Sequence, residues 1–299
     1  MDNTSKNVQP RLSSKTVRKE LGPGHLPVLS IANDYADCTL FLYGAHLASF
    51  KPRGSADMLF LSPHTLFEKG KPIRGGIPIC FPWFGKHPTR EDLLLHGVVR
   101  TQTWELLQVI ETLDGATTIV LRTQDDENTR LVWPYRFSLQ LTISIAQTLK
   151  LVLHVTNTDV RAFTFEEGFH TYFSVGSLAK CWIEGLDGLQ VLNRARGDKP
   201  LVHSGPVEVS GEFVRIYNGV GPSVTLVDQS MKRSIRMEQR QLHQIFVWNP
   251  GEEKAMQNSE ILDAWKNFLC VEHVNCLNEA LLLEPGQIHE STLVLSVNP

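Results

Sequence analysis

Along much of the chain apolar and polar residues alternate with a period of two. In "SLQLTISI" (138–145) Leu139, Leu141, Ile143 and Ile145 share one face, and Ser138, Gln140, Thr142 and Ser144 share the other. "LKLVLHVTN" repeats the pattern with Leu149, Leu151, Leu153 and Val155. "TTIVLRT", "SVTLVD", "QIFVWN" and "STLVLSV" are further short β-rich runs, and "LDGA", "NTD", "NGVGP", "NPGEE" and "EPGQ" separate the runs as turns. Helical periodicity is scarce; "ILDAWKNF" allows a turn or two. Strands do not alternate with helices, which argues against a parallel α/β fold. The pattern predicts an all-β chain, a large antiparallel β-sandwich or distorted barrel with very little helix. One domain is expected over residues 22–299, after a flexible tail over residues 1–21.

Composition narrows the partners. With 299 residues, 42% of them hydrophobic, the chain can bury a large core. A net charge of −3 gives no general attraction for nucleic acid or an anionic membrane, so an anionic ligand would rest on a few local cations. No apolar run approaches the ~18–20 residues that span a bilayer. The first twenty residues lack the apolar segment of a secretory signal, so the sequon "NTS" at 3–5 reads as chance. Their basic, serine-containing character fits a tail, and also an organellar transit peptide. Five scattered cysteines form no C-x-x-C pair and no zinc spacing, which favours a reducing cytoplasm without structural disulfides.

Four segments carry candidate chemistry. In "KPIRGGIPICFPWFG" (71–85) Arg74 precedes two glycines that would let a ligand approach the backbone, and a guanidinium there suits a phosphate or carboxylate. It would equally tie down its own loop. In "LLHGVVRTQTWEL" (94–106) an extended strand would place His96, Val98 and Arg100 on one face, where histidine and arginine could line a pocket; a capping histidine and a surface arginine fit as well. In "GFHTYF" (168–173) Phe169, Thr171 and Phe173 share one face, with His170 and Tyr172 on the other. His170 is therefore either a proton carrier or a satisfied core histidine. In "NFLCVEHV" (267–274) Glu272 shares a face with Phe268, Cys270 and Val274, where an ionised carboxylate is costly unless paired. It is a hydrogen-bond anchor or a base of raised pKa; His273, on the opposite face, is the poorer candidate. No nucleophile elbow, P-loop, Rossmann glycine pattern or metal-ligand spacing is present.

Taken in order, "PIRGGIPICFPWFG", "HGVVRTQTWEL", "GFHTYFSVG" and "FLCVEHV", with "WPYRF" and "FVWNP", resemble the hexose-6-phosphate mutarotases, or glucose-6-phosphate 1-epimerases. These are a branch of the aldose 1-epimerase, or galactose mutarotase-like, superfamily, and the resemblance spans roughly residues 25–295. It implies a large antiparallel β-supersandwich with the active site on a concave sheet surface. It implies Glu272 as general base, His170 as general acid, His96 as a sugar contact, and Arg74 and Arg100 as the cations for a 6-phosphate. No cofactor and no metal is required. The implied partner is a small-molecule sugar phosphate, with no nucleic acid or membrane, bound by a cytoplasmic monomer. The chain departs from the family in "GEFVRIY": Val214 stands where an aspartate is frequent, with Glu212 as the nearest substitute. An aldose 1-epimerase of unphosphorylated sugar and a non-catalytic carbohydrate-binding protein are the competing expectations.

Overall fold

The alternating runs become strands where the pattern places them. In the computed structural model, which describes residues 14–298 except 196 and 198, "SLQLTISI" lies in the strand Phe137–Ile145 and "LKLVLHVTN" is the strand Leu149–Asn157. Both alternate buried positions with half-buried or exposed ones from end to end. They sit in a nine-stranded antiparallel sheet ordered Val207–Glu208, Cys181–Glu184, Ser223–Asp228, Arg233–Arg240, Ile288–Asn298, Leu149–Asn157, Phe137–Ile145, Thr117–Gln124 and Glu105–Glu111. Its inner face carries Leu139, Leu141, Ile143, Leu151 and Leu153, all essentially without exposure. Each such side chain contributes about 1.5–3 kcal/mol relative to leaving it in water.

A second, eight-stranded sheet packs against that face. Its order is Pro200–Val202, Gln190–Asn193, Phe213–Asn218, Gln244–Asn249, Phe268–Asn275, Glu167–Phe169 and Ile79–Cys80, with Tyr172–Ser174 also paired to Phe268–Asn275. Phe169, Phe173, Tyr217, Ile245, Val247, Leu269 and Val271 join the inner residues of the first sheet in one core cluster. The opposite face of the second sheet is covered too, by smaller clusters around Phe60, Tyr172 and Phe268 and around Phe84, Ile216 and Val274. The strand Phe268–Asn275 is consequently buried at all eight positions.

The N-terminal expectation needs correcting. Residues 1–13, with the sequon, lie outside the described residues, but Val17–Leu21 is a strand at the edge of a four-stranded sheet, paired with Pro27–Ala32. Val17 is buried in the core and the next four residues are exposed, so a single apolar position anchors a segment that otherwise reads as a tail. Helix is confined to Glu127–Val132, Gly251–Met256 and short 3-10 turns among the described residues; "ILDAWKNF" supplies one of the latter, Leu262–Asn267. No described helix is long and apolar enough to cross a membrane. All five cysteines are buried and free.

Candidate active site

The central strand of the second sheet decides which side chains meet. Phe246 pairs with Glu272 and Trp248 with Cys270, while on the other side Phe169 pairs with His273 and Tyr172 with Cys270. The two flanking strands Glu167–Phe169 and Tyr172–Ser174 therefore keep one register across the break between them, and His170 falls opposite Glu272. At the break the backbone N–H of Thr171 donates to the carbonyl of Phe169 at 3.0 Å, and that of His170 to Pro78 at 3.0 Å. His170 and Tyr172 leave on the same side, their rings stacked at 4.9 Å and 8°. Phe169 and Phe173 point into the core. The expected division of "GFHTYF" holds although the strand is interrupted.

The proline- and glycine-rich loop is a substitute edge strand. Ile79–Cys80 pairs with Gly168–Phe169, and the carbonyls of Gly76 and Pro82 accept from the N–H groups of Tyr172 and Glu166. Its glycines do not open the backbone to a ligand as expected. A Cβ on Gly75 would stand 2.4 Å from the carbonyl oxygen of Phe60, and one on Gly76 2.3 Å from that of Leu47. They permit close packing within the chain instead.

His96 also departs from expectation. It is no strand residue: its φ is +63° in a turn that continues through Gly97 at +80°, and Val99–Thr101 is a 3-10 turn. The turn still delivers the ring to the site, 4.9 Å from the His170 ring and edge-on to it. Its Nδ1 accepts from the backbone N–H of Gly85 at 3.1 Å, so in the neutral ring Nε2 carries the proton and is free to donate to a ligand.

These groups meet in a cavity of about 460 Å³ whose walls include Arg74, His96, His170, Tyr172, Val214, Phe246, Trp248 and Glu272. Its floor is apolar and aromatic with a few convergent polar groups, as small-molecule sites are. A second cavity of about 440 Å³ lies on the far side of the Trp83–Val98 segment. Its one ionisable group, Asp126, already caps the helix Glu127–Val132. The first cavity, by contrast, gathers a histidine pair, a carboxyl and an arginine. Val214 faces that cavity, while the exposed Glu212 is not in its wall.

Within the cavity His170 Nδ1 stands 3.4 Å from Glu272 Oε1. Glu272 is 1% exposed and its Oε2 has no hydrogen-bond partner. Burial raises the carboxyl pKa well above the ordinary range, with Arg100 acting in the opposite direction. Burial lowers the His170 pKa well below the ordinary imidazole range, and Arg100 and Arg74 lower it further. His96 is lowered by burial and by its neighbours His170 and Arg100. The cavity thus holds neutral imidazoles and a carboxyl reluctant to ionise, with one proton to share between His170 and Glu272.

The two arginines differ. Arg74 lies in the wall, donating to the Tyr172 hydroxyl at 3.3 Å and to Glu260 at 3.1 Å. Arg100 is buried beside the cavity and not in its wall; no side-chain hydrogen bond from it is found among the described residues, and its Nε is unsatisfied. Sequence reading missed Glu260, Lys86 and Arg194, the last two at the cavity wall from exposed positions. It also missed Glu166, whose carboxylate accepts from the N–H groups of Phe84 at 2.7 Å and Leu277 at 2.6 Å and so joins two walls of the cavity. One usable signal was "QIFVWN": Phe246 and Trp248 make its second face apolar, which marks a strand covered on both sides.

A family profile described as aldose 1-epimerase matches residues 27–296. A protein of Escherichia coli K12 named "Putative glucose-6-phosphate 1-epimerase" is 30% identical over 249 residues, covering 83% of this chain and 82% of its own. A Cenchrus ciliaris protein of the same name is 29% identical over 272 residues, covering 87% of this chain and 81% of its own. The crystal structure titled as a putative mutarotase from Salmonella typhimurium superposes with a TM-score of 0.89 at 26% identity, covering 95% of this chain and 94% of that one. With the antiparallel sandwich and the cavity on its second sheet, these similarities establish that the chain belongs to the aldose 1-epimerase family.

Proposed function

We propose that the chain interconverts the α and β anomers of a hexose 6-phosphate, glucose 6-phosphate being the leading candidate. The observation that carries the reaction is the facing pair of unsatisfied buried groups, His170 and Glu272, at the bottom of a sugar-sized cavity. Mutarotation needs a proton removed from the anomeric hydroxyl and one delivered to the ring oxygen, so that the C1–O5 bond breaks and an aldehyde forms. Rotation about C1–C2 presents the other carbonyl face, and reclosure returns both protons. Glu272 serves as base and His170 as acid, and each transfer contributes about 10²–10⁴-fold. His96 donates from Nε2 to a sugar oxygen, and Trp248 and Phe246 supply apolar surface against the ring.

The preference for a phosphate rests on charge. Arg74 reaches the cavity, Arg100 stands beside it with its Nε unsatisfied among the described residues, and Lys86 and Arg194 lie at its wall. A dianion bound among them offsets the positive charge that holds the His170 pKa down. Substrate binding then favours protonation of His170, the acid of the pair. The relatives named for glucose 6-phosphate support the same assignment.

The test follows anomer exchange by NMR after dissolving pure α-glucose 6-phosphate, with α-glucose in parallel. Exchange well above buffer for the phosphate ester and little for glucose is expected. Equal acceleration of both would remove the phosphate from the assignment, and exchange no faster than buffer across several hexose phosphates would end the enzymatic reading.

A further inference from the structure

His170, Cys270 and Glu272 each offer a ligand atom, and these atoms lie within 4.8 Å of one another in a buried group. The sequence hides this set: Cys270 and Glu272 are two apart on one strand face, and His170 arrives from a remote segment through strand pairing. A zinc ion holding S, N and O donors at about 2.0–2.3 Å keeps them roughly 3.3–3.8 Å apart in tetrahedral geometry. His170 Nδ1 and Glu272 Oε1 are already at 3.4 Å. His170 Nδ1 and Glu272 Oε2 have no hydrogen-bond partner, so coordination would break none at these atoms. Cys270 is buried and sits across the sheet between Tyr172 and Trp248, which both line the cavity. The cavity supplies an entry path and room for a fourth ligand.

We infer that the cavity floor is a binding site for a zinc-class divalent cation, held by Cys270, His170 and Glu272, and that its occupation excludes acid–base catalysis. A soft thiolate with an imidazole and a carboxylate selects zinc or cobalt over magnesium or calcium. Inhibition follows because the metal takes the same nitrogen and oxygen lone pairs that proton transfer uses.

The full chain is titrated with Co²⁺ and its absorption recorded, a readout independent of any sugar activity. A thiolate-to-cobalt charge-transfer band in the near ultraviolet is expected for the wild type, lost on adding Zn²⁺. Cys270→Ser should abolish it and Cys276→Ser should not, since Cys276 lines the same cavity but its sulfur is engaged with Gln244. Removing a residue that merely supports a metal ligand costs about 10–100-fold in affinity, and removing a ligand no less. Zn²⁺ should also arrest anomer exchange reversibly, EDTA restoring it, with Cys270→Ser needing at least tenfold more zinc for half-arrest of its own rate. A wild type without the band, or a band or zinc sensitivity unchanged in Cys270→Ser, overturns the inference. If Cys270→Ser does not fold, Glu272→Gln carries the test: cobalt affinity unchanged in that variant is equally fatal.

Discussion

Two carboxylates on adjacent strands of one sheet, Glu167 and Glu272, are both buried with at most 1% exposure. Glu167 points between the sheets, where Asn275 Nδ2 at 2.9 Å and His289 Nε2 at 2.8 Å meet one oxygen and Ser291 Oγ at 3.2 Å meets the other. Two of these three partners come from the facing sheet, so the group staples the sandwich. Glu272 points the other way, into the cavity, with His170 at 3.4 Å and one oxygen unpartnered. Leaving a buried polar group unsatisfied costs about 1–3 kcal/mol. The sandwich bears that cost at Glu272 and avoids it at Glu167, and this separates the proposed base from a group held for architecture.

The sharpest way to break the comparison is Glu272→Gln, which should slow anomer exchange by about 10²–10⁴-fold with little change in thermal unfolding. A loss of stability with residual fast exchange would make Glu272 a second staple. Glu167→Ala should do the reverse, costing about 2–4 kcal/mol in urea unfolding because His289 and Ser291 lose their buried partner, while the rate per folded molecule changes little. Arg74→Ala should weaken binding of the phosphate ester by about 1.5–3 kcal/mol, read as a rise in KM that a neutral sugar does not show. Glu166→Ala should cost about 1 kcal/mol in kcat/KM by loosening the walls at Phe84 and Leu277.

The smallest effect concerns pH. The lowered His170 pKa puts uptake of a second proton below pH 6.5, and the raised Glu272 pKa puts loss of the shared proton well above pH 4.5. The acid limb of the rate with a neutral sugar analogue should therefore fall below pH 6.5 and its alkaline limb well above pH 4.5. An acid limb centred on 6.5 would place His170 in water.

How far the sequence could be read follows the same division. The strands Phe137–Ile145 and Leu149–Asn157 were legible because one face meets water and the other the core, which writes a period of two into the residues. His170 and Glu272 were legible because each breaks an apolar setting. Val17–Leu21 was not, since four of its five side chains face solvent and only pairing with Pro27–Ala32 orders it. The left-handed turn at His96 was read as a strand because nothing local signals that Gly97 packs on Phe81, where a Cβ would stand 1.8 Å from the carbonyl oxygen. Glu260 was out of reach: it meets Arg74 across 186 residues of chain.

The strand Phe268–Asn275 has a consequence for motion. It is covered on both faces and hydrogen-bonded to neighbours on both edges, so its amides should exchange with solvent only when the whole domain unfolds. The proposed base, Glu272, is thereby carried on a strand buried from end to end. On the proposed function, admitting and releasing a sugar would fall to the segments around Lys86 and Leu95, which contribute exposed residues to the cavity wall. Opening and the proposed chemistry would then belong to different parts of the chain, and slowing the first should leave the second intact.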